Sequence, residues 1–298
     1  MRKSIGLSTF NLQNIYGDKR ALEIAKEIGA DAVDFDLSSN NVIDKDSVYR
    51  KSDEEIIEYY KDIKNYADKI GIEICQTHGR LRVFWGEEEK NTNAIKEARL
   101  DCLATKALGA PYCVMHSIAT SITGPGADEK FMQNTFDDVF SKIITFAKEY
   151  NIKIAIETMG DSPIYGCCDF FGNLFEFKKS FDRLSAVNDN AKYLCTCIDT
   201  GHVNKAMRFN NNPTPAKFIR EMGSSVKCLH LNDNNTLTDQ HKPPKTGIID
   251  WDDVLGALDE IGYDGVYNLE LNLQHFGKGF EIETARFSVQ LMNFLINK

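Results

Sequence analysis

The feature that most constrains this chain is an alternation sustained from end to end. Short apolar runs, each the length of a buried strand, are separated by longer stretches with helical spacing. The runs are Ile5–Phe10, Ala32–Asp36, Ile72–His78, Tyr112–His116, Lys153–Thr158, Leu194–Asp199, Val226–Leu231 and Val266–Leu271. Helical patterns cover Asp18–Gly29, Asp53–Ile70, Ala94–Gly109, Asp128–Tyr150, Thr214–Gly223, Asp252–Gly262 and Ile282–Leu295. In the clearest of them Ile56, Tyr60, Ile63, Ala67 and Ile70 recur at steps of four and three, one face of a 3.6-residue period. Asp53 sits in the first turn of that pattern, and Gly71 follows its last apolar residue as a stop.

Eight strand runs alternating with helical stretches, with no Pro/Ser-rich linker, predict an α/β chain folded as a single (β/α)8 TIM barrel over residues 1–298. An open doubly wound sheet is the competitor, but no Gly-x-Gly-x-x-Gly turn follows the first strand. The 42% hydrophobic and 27% charged content excludes a disordered or fibrous chain. No apolar run approaches the ~20 residues of a membrane span, and Met1–Phe10 lacks the long apolar region of a leader. A cytoplasmic protein without a membrane partner is the expectation. Acidic residues outnumber basic ones, 44 to 35, for a net charge of −9, which argues against a nucleic-acid partner. The eight cysteines include no C-x-x-C pair, so free thiols are expected rather than a disulfide scaffold or zinc ribbon.

The chemistry lies at the strand ends. Successive runs finish at or near His78, His116, Glu157, Asp199, His230 and Glu270. Alternate strand residues share a face. Ala155 thus goes with Glu157, Cys195 and Cys197 with Asp199, Cys228 with His230, and Asn268 with Glu270. The opposite faces carry Ile154, Ile156, Leu194, Ile198, Leu229, Leu231, Leu269 and Leu271. One histidine at a strand end is ordinarily a satisfied rim residue, and a glutamate between two leucines can pair with a lysine. Six such residues of matching parity instead define a convergent site at the C-terminal mouth of a barrel. The loops Gly79–Asn93, Met159–Gly172, Val203–Thr214 and Asn232–Trp251 gather on the same face. Buried carboxylates in that number need a compensating cation or protons. Glu157, Asp199, His230 and Glu270 offer three carboxylates and an imidazole to one divalent ion. Arg80, Arg82 and Trp85, in the first of those loops, suit a substrate phosphate or sugar stacking, and equally a solvated loop with one anchoring aromatic.

The segments Ile156-Glu157-Thr158, Ile198-Asp199-Thr200-Gly201-His202, Leu229-His230-Leu231-Asn232-Asp233 and Leu269-Glu270 resemble the xylose-isomerase-like barrel superfamily. That group includes sugar and sugar-phosphate isomerases and epimerases, inosose dehydratases and endonuclease IV. The resemblance implies that Glu157, Asp199, His230 and Glu270 hold the metal, and that His202 touches substrate oxygens or a second metal. Asp239-Gln240-His241, with Pro243-Pro244 and Gly247 to Trp251, resembles the segment many members carry after strand seven. Members often have glycine where Lys245 stands. His78, His116, Glu157, Asp199, His202, His230, Asp239, His241 and Glu270 together match the nine ligand types of endonuclease IV, which binds three zinc ions. The acidic charge ranks that reading below carbohydrate chemistry.

The expected function is a metal-dependent sugar or sugar-phosphate isomerase or epimerase working through an enediolate. Glu157 and Glu270 would be its proton carriers and a small carbohydrate its partner. The expected cofactor is one divalent ion, manganese or magnesium before zinc. His78, His116, His202, Asp239 and His241 would then contact substrate or a second metal. The alternatives are a dehydratase of the inosose type, a trinuclear zinc phosphodiesterase and a non-catalytic sugar-binding barrel. A homo-oligomer is compatible with each.

Overall fold

The computed structural model describes residues 2–209 and 211–297. Eight parallel strands form the sheet: β1 Ile5–Ser8, β2 Ala32–Asp36, β3 Glu73–His78, β4 Tyr112–His116, β5 Lys153–Glu157, β6 Leu194–Asp199, β7 Val226–His230 and β8 Tyr267–Leu269. From β1 to β7 each pairs with its sequence neighbour, and β8 pairs with β1. The ring closes just beyond β7, where Leu231 N–H donates to Asn268 O at 2.8 Å and Glu270 N–H to Leu231 O at 3.2 Å. The result is the expected (β/α)8 barrel.

Strand parity separates two cores. The barrel interior holds a small cluster of Val114, Ala155, Cys195, Cys197 and Cys228. The aliphatic face of the same strands, including Ile154, Ile156, Ile198, Leu229 and Leu269, belongs to the large core under the helices. Small residues and thiols fill the narrow interior of an eight-stranded barrel, where larger side chains would overpack. All eight cysteines are free. The helix Asp53–Ile70 buries Ile56, Tyr60, Ile63 and Ala67, opens on a Ser52–Glu55 capping box and stops at Gly71, whose φ of 69° is left-handed. No helix among the described residues is long and apolar enough to cross a membrane.

Several boundaries differ from the sequence reading. The first strand ends at Ser8, and Phe10–Tyr16 is a helix, its first turn closed by Gln13 N–H to Thr9 O. The helix expected from Ala94 starts at Glu88, shortening the loop before it. Leu174–Ser185 is a helix the periodicity reading passed over, although Phe177, Ser180, Phe181 and Leu184 mark its buried face. Thr200–Ala206 is helical, so the connection read as Val203–Thr214 begins as a helix; its residue Asn210 lies outside the described residues. A two-residue hairpin, Asp161–Ser162 against Cys167–Cys168, sits inside the loop after β5.

Candidate metal centre and active site

Strand register sets the site. Asp36 lies opposite His78, His116 opposite Glu157, and Asp199 opposite His230. Adjacent parallel strands are ~4.8 Å apart, so side chains at matched heights are brought within a ligand shell of one another. Asp199 is also the N-cap of the helix Thr200–Ala206, its Oδ1 accepting His202 N–H at 2.6 Å while its Oδ2 accepts Asn232 Nδ2–H at 2.8 Å. Both bonds require the backbone at residue 201 to pass against Asn232. A Cβ on Gly201 would lie 1.9 Å from Asn232 Oδ1, so only glycine fits there. Asp233 clamps the long seventh loop through Ile249 N–H at 3.1 Å and Trp251 Nε1–H at 2.9 Å. Lys245 takes a φ of 66°, in the left-handed region that favours glycine.

The convergence is close. His230 Nδ1 lies 3.2 Å from Glu157 Oε1 and 3.4 Å from Glu270 Oε2. His116 Nε2 and His78 Nε2 lie 3.2 and 3.4 Å from Glu157 Oε2, and His78 Nε2 is 3.5 Å from Glu270 Oε1. On the other side His202 Nδ1 is 3.4 Å from Glu157 Oε1. His202 Nε2 and His241 Nε2 stand 3.4 and 3.3 Å from Asp239 Oδ2. One ligand atom from each of Glu157, Asp199, His230 and Glu270 falls within 4.8 Å of the others. His78 with Glu157 and His230, and Asp199 with His202 and His241, form two further groups of the same tightness.

Glu157 and His230 are fully buried, yet both carboxylate oxygens of Glu157 and Nδ1 of His230 lack a hydrogen bond. Burying such groups unpaired costs about 1–3 kcal/mol each, more for a charge. Ligand atoms 3.2–3.5 Å apart and not bonded to one another have the geometry of donors aimed at a common centre. Three carboxylates and an imidazole suit a hard-to-borderline divalent ion, so these residues fit a metal. Without one, protons supply the balancing charge. Burial opposes the His78 charge, but Glu157 and Glu270 outweigh it and lift the ring to about 10. His241, likewise opposed by burial, is raised to about 9 by Asp239 and Glu270. Burial lowers His116 despite Glu157 beside it. Burial, with Glu157 nearby, raises Glu270 against the pull of His230 and His241.

A cavity of about 370 Å³ opens above this cluster, within the range of small-molecule sites. His78, His116, His202, Asp239, His241 and Glu270 line its polar floor, with Asp36 and Ser38 to one side and Phe10, Leu81 and Leu271 as apolar wall. The structure therefore brings together all nine of the strand-end and loop residues read from the sequence. It corrects the reading of Arg80. That guanidinium is buried, its Nε donating to Asp101 Oδ2 at 2.7 Å and its Nη2 to Leu37 O at 2.7 Å, which leaves it no route to a ligand. Trp85 does not line the cavity; Arg82 lies over its ring at 4.8 Å, and Leu81 is the loop residue that faces in. Missed by the sequence reading were Phe10, Leu81 and the aspartates of β2. Asp34 and Asp36 alternate with Val33 and Phe35, the same parity signal that marked strands five to eight.

Comparison with known proteins agrees with this architecture. The family model of the xylose isomerase-like TIM barrel matches residues 22–292. An uncharacterized protein of Methanocaldococcus jannaschii, MJ1311, is 33% identical over 145 residues, 47% of this chain and 44% of that protein. Inosose isomerase of Halalkalibacterium halodurans is 27% identical over 176 residues, 56% of this chain and 55% of its own length. The chain thus spans about half the length of these curated relatives. Among solved structures, D-psicose 3-epimerase with D-tagatose from Clostridium cellulolyticum H10 superposes with a TM-score of 0.73 at 15% identity, covering 98% of this chain and 99% of that one. The IOLI protein with a bound zinc atom gives 0.72 at 18% identity, covering 99% and 98%. The chain belongs to the xylose isomerase-like TIM barrel family.

Proposed function

We propose that this protein is a divalent-metal-dependent isomerase or epimerase of a small, uncharged sugar or polyol derivative. The observation that carries the reading is the pair of Glu157 and Glu270. Glu157 ends strand five and Glu270 directly follows strand eight, with oxygens in one ligand cluster at the floor of a sugar-sized cavity. The epimerase and inosose isomerase among its relatives support the class of chemistry. A divalent ion held by Glu157, Asp199, His230 and Glu270 would supply Lewis acidity toward a substrate carbonyl and a neighbouring hydroxyl. Glu270, whose side chain is 17% exposed, reaches the cavity and can take or return a proton on the carbon beside that carbonyl. Glu157 lies beneath it, fully buried, and would act as the second carboxylate from the β5 side. Two carboxylates at the ends of different strands allow removal and return of a proton on opposite faces, which epimerisation requires. His116, His202 and Asp239 surround the cavity as partners for hydroxyl groups, and Phe10 and Leu81 offer apolar surface to the C–H side of a sugar ring. Among the described residues no lysine or arginine lines the cavity, which favours a neutral substrate over a phosphate ester.

A second reading, a multinuclear phosphodiesterase, has one observation in its favour. His202 and His241 place Nδ1 at 3.0 and 3.2 Å from the carbonyls of Thr158 and Glu270, leaving both Nε2 atoms toward Asp239 as a metal ligand requires. One experiment separates the two. Protein loaded with manganese, cobalt or zinc is incubated in D2O with a panel of ketoses and inososes, and deuterium incorporation beside the carbonyl is followed by NMR. Exchange with wild type that is lost in Glu270→Gln is the expected result. Absence of exchange across the panel, with three stoichiometric zinc ions and cleavage of a phosphodiester lost in Glu157→Gln, overturns it in favour of the second reading.

A further inference from the structure

We propose that Asp34, on β2, is a positioning residue for the metal centre, fixing the tautomer and ring plane of His230 so that Nδ1 presents its lone pair to the Glu157–Glu270 cluster. The inference rests on the metal reading proposed above. It starts from a short contact between two fully buried groups, His230 Nε2 to Asp34 Oδ2 at 2.8 Å. Gln76 Nε2 also lies 3.2 Å from His230 Nε2, but it donates to Asp34 Oδ2 at 3.1 Å, and the shorter contact to the acceptor-only carboxylate assigns the ring proton to Nε2. Nδ1 is then left as an acceptor, and it is the atom that stands 3.2 Å from Glu157 Oε1 without a hydrogen bond of its own. A histidine engaged only in holding the barrel together gains nothing from a second nitrogen buried and unpartnered. A histidine that ligates a cation needs that arrangement, with its other nitrogen tied to a carboxylate.

The neighbours of Asp34 show that its own orientation is built in. Gln76 Nε2, on β3, donates to the same Oδ2 at 3.1 Å, and Asn268 Nδ2, on β8, reaches it at 3.4 Å. The carboxylate is thereby held from the two strands that flank the β1–β2 pair, while His230 projects from β7 across the barrel. Its other oxygen, Oδ1, is buried and has no hydrogen bond. All the side-chain hydrogen bonds of Asp34 fall on Oδ2, the oxygen that meets His230. The donors from β3 and β8 satisfy the buried carboxylate and at the same time fix the plane in which it meets His230.

The test is metal binding itself. Cobalt(II) is titrated into metal-free wild type, Asp34→Asn and Asp34→Leu, and the dissociation constant and d–d absorption are read together. Asp34→Leu is expected to raise the dissociation constant about 10–100-fold and to change the d–d band, because His230 is free to rotate or to move its proton to Nδ1. Asp34→Asn keeps the shape and an acceptor but not the charge, and is expected to fall between the two. Unfolding of the metal-free proteins by circular dichroism accompanies the titration; if Asp34→Leu does not fold, the near-isosteric Asp34→Asn decides. Equal constants and equal spectra for wild type and folded variants, whatever their unfolding midpoints, overturn the proposal and leave the metal reading standing. Failure of wild type to bind cobalt overturns both.

Discussion

Two buried clusters of charge lie close together in this barrel, and they are built on opposite principles. Around Arg80, each polar atom is matched. Asp101 accepts from Arg80 Nε and Nη2 at 2.7 and 3.1 Å and from the Tyr49 hydroxyl at 2.6 Å, while Glu97 takes Arg80 Nη1 at 3.3 Å. Around Glu157, four histidine nitrogens crowd within 3.2–3.4 Å and none makes a hydrogen bond that satisfies the carboxylate. The first arrangement leaves nothing for a ligand to gain. The second stores its unsatisfied atoms at the floor of an open cavity, where a bound ion would satisfy them at once. Burial and charge alone do not mark this site; a cluster of buried ionisable groups without partners does.

That contrast is broken or sharpened most strongly at Glu157. Glu157→Gln removes the carboxylate shared by the ligand groups, and is expected to cut deuterium exchange at least about 10²–10⁴-fold, the usual contribution of a positioned acid–base group. Unfolding of the metal-free variant should shift only modestly downward, because relief of burying the carboxylate offsets part of the loss of the charge that His116 and His230 favour, which holds this carboxyl well below the usual range. A metal-free variant destabilised as much as a core mutant would place Glu157 with the structural cluster instead. Arg80→Met is the converse. It strands Asp101 as a buried carboxylate with only Tyr49 beside it, at an expected cost of about 3–5 kcal/mol in chemical denaturation. Cobalt affinity of the folded fraction should stay within about threefold of wild type, a margin of less than 1 kcal/mol. A tenfold loss would show that the two clusters act as one.

Metal removal gives a smaller effect with a clear pattern. A ligand that binds only the folded state stabilises it by about 2.7 kcal/mol at 100 times its dissociation constant. Wild type and Arg80→Met should both gain that amount on adding cobalt and lose it to a chelator, whereas Glu157→Gln should gain almost nothing. Equal gains in all three would locate the ion away from Glu157.

How much of this was legible in the chain follows from what each signal encodes. Parity along a strand is a local property, and it correctly sent Glu157, Asp199, His230 and Glu270 inward and their aliphatic neighbours outward. The same rule applies to Asp34 and Asp36, which escaped because the reading began with strand three. Arg80 was misjudged for another reason. Its partner Asp101 is 21 residues away on the helix Glu88–Ala107, and nothing in a window around Arg80 reveals that pairing. Histidine tautomers belong to the same class, since the Nδ1 contacts of His202 and His241 are to carbonyls 44 and 29 residues distant. Local periodicity reports which face a side chain takes; only the fold reports whether that side chain has found a partner.

Asp169 puts the partner rule to its finest test. It is buried in the loop after β5, near the site but outside the ligand groups, and both its oxygens are engaged: Oδ2 by Thr120 N–H at 2.7 Å and Oδ1 by Phe171 N–H at 3.0 Å. By the rule it is structural, tying this loop to the one after β4. Asp169→Asn leaves one backbone donor facing an amide, so a loss of about 1–3 kcal/mol is expected with exchange activity little changed. Burial lifts this carboxyl from 3.8 to about 6 against the pull of the Thr120 and Phe171 N–H groups. The folded chain therefore holds the Asp169 proton more tightly than the unfolded chain does. The associated stability is fully present below pH 3.8 and is lost as the pH rises through about 6. Asparagine does not titrate. The stability advantage of wild type over Asp169→Asn should accordingly be larger in urea denaturation at pH 4 than at pH 7, with the titrations of the site histidines cancelling in the difference. A gap that widens toward pH 7 would mean that the ionised carboxylate is the form the loop prefers, and that the two N–H donors outweigh burial.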